Sequence, residues 1–100
     1  MKSQIITSVE EIRGNCPIYK TRDKITIDEF YIKSNNSQNI SIHAFVAMTT
    51  MLSAFIRGSS ASELGIDSEK NVGYLQCPDP GPPCSKGGTV LFKLKREPTT

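Results

Sequence analysis

The stretch from Ile40 to Arg57, "ISIHAFVAMTTMLSAFIR", constrains the fold more than any other part of the sequence. Phe45, Met48, Leu52 and Phe55 advance by three, four and three residues, which is one apolar stripe of an α-helix. Ala44, Ala47, Met51 and Ala54 widen the stripe, while His43, Thr50, Ser53 and Arg57 occupy the other side. Asn39, or a residue just before it, supplies the N-terminal cap, and Gly58 supplies the stop. So wide an apolar surface predicts a largely buried helix at the centre of the core. "SSASELG" adds one short helical turn ending at Gly65.

Strand-like stretches flank this helix on both sides. Gln4 to Arg13 is rich in β-branched residues, with Glu10 and Glu11 interrupting its alternation. Lys24 to Ile32 alternates Ile25 and Ile27, then Phe30 and Ile32, with a bend near Asp28 and Glu29. Val72 to Cys77 and Thr89 to Lys95 read as the third and fourth strands. The order is β-β-α-β-β, and the class is α+β: an antiparallel sheet packed on one central, largely buried helix. Residues 1–100 make a single domain with its ordered core over 4–96.

Composition removes several function classes. Twelve Lys and Arg against ten Asp and Glu leave a net charge of +2, too weak to imply nucleic acid as a partner. Lys93, Lys95 and Arg96 sit together in a strand pattern, which reads as a solvated face. No run approaches the roughly 20 apolar residues that a membrane span needs. The opening "MKSQIITSVEEIRG" offers only two consecutive apolar residues, against roughly 7–15 in a signal peptide. The expectation is a cytoplasmic protein whose three cysteines are reduced thiols.

The chemical inventory is one histidine and three thiols. Cys16 and Cys77 each close a strand and precede a proline, in "GNCPIY" and "LQCPDP". Pro17 and Pro78 fix the exit direction of the chain and remove a backbone donor beside each sulfur. His43 falls in the first turn of the helix, where the helix dipole favours a neutral imidazole and a nearby thiolate. Cys16, His43 and Cys77 therefore form the candidate site, either catalytic or metal-binding. Zinc takes three or four such ligands, but six residues separate Cys77 from Cys84, unlike the short Cys-x2-4-Cys knuckle of strong zinc sites. Inert packing of Cys16 and Cys77 is the competing reading. Cys84, beyond Pro82 and Pro83, is expected to be exposed and apart from the site. The adjacent carboxylates Glu10–Glu11 and Asp28–Glu29 point to opposite strand faces and make no catalytic pair.

The stretches "VEEIRGNCPIYKTRDKITID", "NISIHAF", "GYLQCPDPGPP" and "GGTVLFKLKR" resemble a family of small, single-module, uncharacterised prokaryotic proteins. The family is frequent in methanogenic archaea and anaerobic bacteria. The resemblance spans about Ile5 to Arg96, and its specific parts are the Gly-x-Cys-Pro and Cys-Pro-Asp-Pro motifs. Family members carry Gly-His within the first motif, where this chain has "CPIYKTRD", and a cysteine two residues before the helix histidine, where it has Ser41. The resemblance thus implies a thiol site reduced to Cys16, His43 and Cys77, without two further members. It names no activity.

Three functions follow as expectations. The first is a module binding a small ligand or metal at the Cys/His site, with zinc as the one cofactor in view. The second is a thiol enzyme or redox sensor using Cys16 or Cys77 with His43. The third is a structural or interaction protein with inert cysteines.

Overall fold

The computed structural model describes residues 3–14, 22–28, 31–34, 37, 42–76, 84 and 88–98, without the side chains of residues 43, 44 and 47. Its elements are β1 (Ser3–Gly14), β2 (Lys24–Ile27), α1 (Ile42–Ile56), α2 (Ala61–Leu64), β3 (Val72–Gln76) and β4 (Gly88–Pro98). The strands form one sheet in the order β2-β1-β4-β3. Each neighbouring pair is antiparallel, so the architecture is α+β.

The two long strands, β1 and β4, form the middle of the sheet. Ile5, Thr7 and Val9 alternate onto the buried face of β1, facing the same side as Val90, Phe92 and Leu94 of β4. The alternation that Glu10 and Glu11 interrupt in the sequence is a β-bulge. Val9 opposes Phe92 and Glu11 opposes Leu91, so Glu10 is the extra residue. Without it Ile12 would face solvent; with it Ile12 returns to the core side, opposite Val90.

Regular pairing of β2 stops at Ile27, short of the expected Ile32. The chain doubles back instead. The Asp28 amide donates to the Tyr31 carbonyl at 2.8 Å, and Ile27 bridges Ile32 in antiparallel fashion. Ser37 fastens this return: its hydroxyl accepts from the Thr26 amide at 2.9 Å and donates to the Lys33 carbonyl at 2.7 Å.

Among the described residues α1 is followed, where "SSASELG" predicts a short helical turn, by α2. α2 has a complete capping box. The Ser60 hydroxyl accepts from the Glu63 amide, and the Glu63 carboxylate accepts from the Ser60 amide. Gly65, at φ 75°, closes it. Both helices pack on one face of the sheet. Met48, Leu52 and Phe55 of α1 and Ala61 of α2 join Ile5, Val9, Ile25, Val90, Phe92 and Leu94 in a single core. α1 is buried along that stripe alone. Phe45 is only half-buried, and Ile42, Val46, Thr49, Thr50 and Ser53 are exposed. The expectation of a largely buried helix rests on the width of its apolar surface, and that width does not by itself bury a helix. Among the described residues the sheet carries a layer on one side, and it covers only one stripe of α1.

Candidate functional site

Cys16 and Cys77 lie outside the described residues, and of His43 only the backbone is described, in the first turn of α1. The expected catalytic or zinc site at Cys16, His43 and Cys77 therefore lies outside the described side chains. The strands leading to the two cysteines are described. β1 and β3 flank β4 and run in the same direction. Gly14 opposes Gly88 and Gln76 opposes Leu91, so both strands end beside the start of β4. Cys84 is a free, exposed thiol. Among the described residues no group of three His, Cys, Asp or Glu side chains is placed to hold a metal ion. Among the same residues no helix is long and apolar enough to cross a membrane.

A cavity of about 400 Å³ lies where the end of α1 meets the end of β4, with Arg57, Lys70, Asn71, Arg96 and Glu97 in its walls. Its basic lining suggests an anion site, but Arg96 argues against that. The Arg96 side chain is buried on the core face of β4, in line with Val90, Phe92 and Leu94. Its Nη1 donates to the carbonyls of Phe55 at 2.6 Å and Ser59 at 2.7 Å. Its Nη2 donates to the Lys70 carbonyl at 3.2 Å and to Asn71 Oδ1 at 2.9 Å, and its Nε donates to the same Oδ1 at 3.1 Å. A guanidinium has five N–H donors, and these bonds use them all. Arg96 thus has no donor left for a ligand. The partial negative charge at the C-terminal end of α1 supports its cation. Burial lowers its pKa from the ordinary arginine value. Its work is structural: it ties the end of α1 to the β3–β4 hairpin. The reading of Lys93, Lys95 and Arg96 as one solvated face is corrected here, because strand alternation separates Arg96 from both lysines.

A second, more apolar groove of about 260 Å³ separates α1 from the Ile27–Ile32 return. Ile27, Ile32, Phe45, Leu52 and Ile56 give it an aliphatic and aromatic lining. Asp28 and Tyr31 also line it, with the Tyr31 hydroxyl donating to Asp28 at 3.4 Å and the Lys33 ammonium 3.9 Å from the same carboxylate. Beside the groove runs the outer face of α1. Ile42 is 79% exposed and Val46 67%, and Tyr31 across the groove is 58% exposed. From Ile42 to Ile56 the helix has no charged residue. The Thr49 hydroxyl donates back to the Phe45 carbonyl at 2.6 Å, so its hydrogen-bonding capacity is turned inward along the helix. A surface helix of a globular protein normally carries charged or polar residues on its outer face. This one offers branched aliphatics and small hydroxyl residues next to an apolar groove. The exposed aliphatics of this face suit an apolar partner.

Sequence reasoning missed Arg96 and the outer face of α1. Both left a signal. Arg96 falls in the buried phase of the "TVLFKLKR" alternation, and Ile42, Val46 and Thr49 form a second stripe beside the core stripe. Comparison with known proteins finds no family model, curated protein or solved structure that matches the chain.

Proposed function

We propose that this chain is a protein-interaction module that docks an apolar partner surface on α1 and its neighbouring groove. The observation that carries this reading is the exposure of Ile42 and Val46 on a fifteen-residue helix without charge. Water contact with two branched aliphatics costs free energy that docking recovers, at about 25 cal/mol per Å² of apolar surface covered. The groove beside them adds the concave wall that specific apolar contact requires. The test is a display selection of amphipathic helical peptides against the protein, counter-selected on the Ile42→Glu/Val46→Glu variant. Peptides that bind the wild type and not the variant are expected. A selection that yields none, or yields peptides indifferent to the two substitutions, overturns the reading.

A second reading places thiol chemistry, or a bound small ligand or zinc ion, at Cys16, His43 and Cys77. It is favoured by β1 and β3 running in the same direction on either side of β4 and ending towards its start. Under this reading iodoacetamide labels one of the two cysteines well below the ordinary thiol pKa of about 8.5, and His43→Ala slows that labelling. Labelling only on unfolding returns both cysteines to packing. Membership of the small single-module prokaryotic family, and a cytoplasmic setting with reduced thiols, belong to the same proposal. The paired Cys-Pro strand endings support the first, and the odd number of cysteines supports the second.

A further inference from the structure

The second face of the sheet is built by the residues that alternate with the core. Ile5, Thr7 and Val9 point to the helices, so Ile6 and Ser8 point away. The same alternation turns Lys24 away from the side of Ile25 on β2, and Lys93 and Lys95 away from the side of Phe92 and Leu94 on β4. On β3, Gly73 abuts Ile66 and Ala61 on the core side, so Tyr74 takes the second face. Register then sets these side chains in rows. Ser8 opposes Lys24 on β2 and Lys93 on β4, and Lys93 opposes Tyr74 on β3. One row therefore reads Lys24, Ser8, Lys93, Tyr74 across all four strands. In the next row Lys95 stands between Ile6 and Val72. Lys93 and Lys95 are about 7 Å apart along β4, and Lys24 is about 10 Å from Lys93 across Ser8.

Opposite charges placed across neighbouring strands attract and neutralise one another. Here the cross-strand neighbours of the three lysines within the sheet are Ser8, Tyr74, Ile6 and Val72, none of them acidic. Among the described residues neither Lys93 nor Lys95 makes an ion pair. The carboxylates of this face stand towards its two ends. Glu97 accepts from Gln4 Nε2 at 2.9 Å, and Glu11 pairs with Arg13 at 3.0 Å beside the bulge at Glu10. A net charge of +2 over the whole chain implies no anionic partner. The fold changes that reading, because it gathers cations from two distant stretches of sequence around one hydroxyl and one aromatic ring.

Two features select the anion. Cations in a row with a hydroxyl between them suit a line of phosphates, whose oxygens accept from ammonium and hydroxyl groups alike. Tyr74, 37% exposed, sets a ring beside Lys93 on which a base can stack. An acidic peptide would occupy the lysines and leave the ring without a role. A duplex keeps its bases stacked on each other, away from the ring. A single strand brings phosphates and unstacked bases together. We infer that the open face of the sheet binds a single strand of nucleic acid, with phosphates on Lys24, Lys93 and Lys95 and a base on Tyr74. This surface lies across the sheet from α1 and stands independently of the docking reading. Three phosphate contacts and one stacked base make a weak site, with a Kd of about 10–100 µM at low salt.

The experiment is a fluorescence-anisotropy titration of labelled oligothymidylate, about ten nucleotides long, with the whole protein in reductant. Saturable binding should appear at low salt, and the logarithm of the affinity should fall against the logarithm of salt concentration with a slope of about −2. Lys93→Gln/Lys95→Gln should weaken binding about tenfold or more. Tyr74→Ala should weaken it about 5- to 50-fold, while Tyr74→Phe, which keeps the ring, stays within about twofold of the wild type. Lys70→Gln removes an exposed charge outside this face and should leave the affinity unchanged. Circular dichroism spectra of all four variants should match the wild type, since each side chain reaches solvent. Unlabelled duplex and polyglutamate should compete poorly against the bound strand. The inference is overturned by a wild type that does not bind at low salt, or by binding that the lysine pair or Tyr74→Ala leaves intact. Equal losses for Lys70→Gln and the lysine pair overturn it too, as does polyglutamate that competes as well as the oligonucleotide; the latter would make the face a site for acidic protein segments.

Discussion

The Arg96 guanidinium holds Phe55 in two ways: it donates to the Phe55 carbonyl at 2.6 Å and lies 4.5 Å over the centre of the Phe55 ring. One residue thus fixes the last turn of α1 both by its backbone and by its side chain. Phe55 is fully buried, so the cation also closes the end of the core. Removing the guanidinium leaves the carbonyls of Phe55, Ser59 and Lys70 and the Asn71 side chain to find other donors, and a buried unpaired polar group costs about 1–3 kcal/mol.

Arg96→Met should therefore destabilise the protein by about 3–5 kcal/mol, because it breaks one buried and four part-buried bonds at once. Arg96→Lys keeps the charge but offers at most three donors and loses the planar stack, so its cost should be about 1–3 kcal/mol. Urea melts of the two variants decide the matter. A loss below about 1 kcal/mol for Arg96→Met would show that water satisfies these carbonyls.

The arginine also shows where sequence reading stops. The pattern "TVLFKLKR" marks a strand, and its alternation puts Arg96 in phase with Val90, Phe92 and Leu94. Charge argued for the surface, and alternation argued for the core. The end of α1 decides between them, because it supplies carbonyls for the cation, and no feature of the strand sequence announces that partner. The same limit applies to α1. Its 3.6-residue period was legible, and so was its stop at Gly58, which adopts φ 119°. Its exposure was not, because burial depends on how many layers cover a helix and not on its composition. The interruption at Glu10 and Glu11 was visible, but only the register against β4 identifies it as a bulge. The ends of β1 at Gly14 and β3 at Gln76, just short of Cys16 and Cys77, lie close to where the sequence pattern stops. Their places on either side of β4 follow from the β2-β1-β4-β3 order, which local patterns do not encode.

The two stripes of α1 should separate cleanly in stability measurements. Leu52 is buried among the core residues, and Leu52→Ala should cost about 2–4 kcal/mol. Phe45 is half-buried at the groove, so Phe45→Ala should cost less, about 1–2 kcal/mol. Thr50 is exposed, and its replacement by Ala should stay within about 0.5 kcal/mol. Equal losses at Leu52 and Thr50 in urea melts would mean that the core stripe is misassigned.

Thr7 offers a test in the opposite direction. It is 1% exposed, sits between Ile25 of β2 and Leu94 of β4, and its hydroxyl has no hydrogen-bond partner among the described residues. A buried hydroxyl without a partner has lost its water and gained nothing in return. Thr7→Val keeps the shape and the β-branch while replacing the hydroxyl with a methyl. It should raise stability by about 1 kcal/mol, seen as a higher urea midpoint with an unchanged slope. A lower midpoint would show that the hydroxyl is hydrogen-bonded in solution.

Glu63 links α2 to pH. Its carboxylate accepts from the Ser60 amide at 3.1 Å and from the Ser60 hydroxyl at 2.9 Å. Both bonds favour the charged form, and the backbone bond contributes most to holding the pKa below the ordinary glutamate value. In the unfolded chain these bonds are absent, so on acidification the unfolded state takes up this proton first. The stabilisation is fully present above the unfolded-state pKa. It begins to fade as the pH drops below about 5 and disappears once the pH passes through the folded-state value. Glu63→Gln keeps an acceptor for Ser60 but cannot titrate. In urea melts at a series of pH values, the wild-type midpoint should therefore fall more steeply in acid than that of Glu63→Gln, and the two curves should converge at low pH. Parallel curves throughout would mean that the capping carboxylate adds nothing that the amide does not also supply.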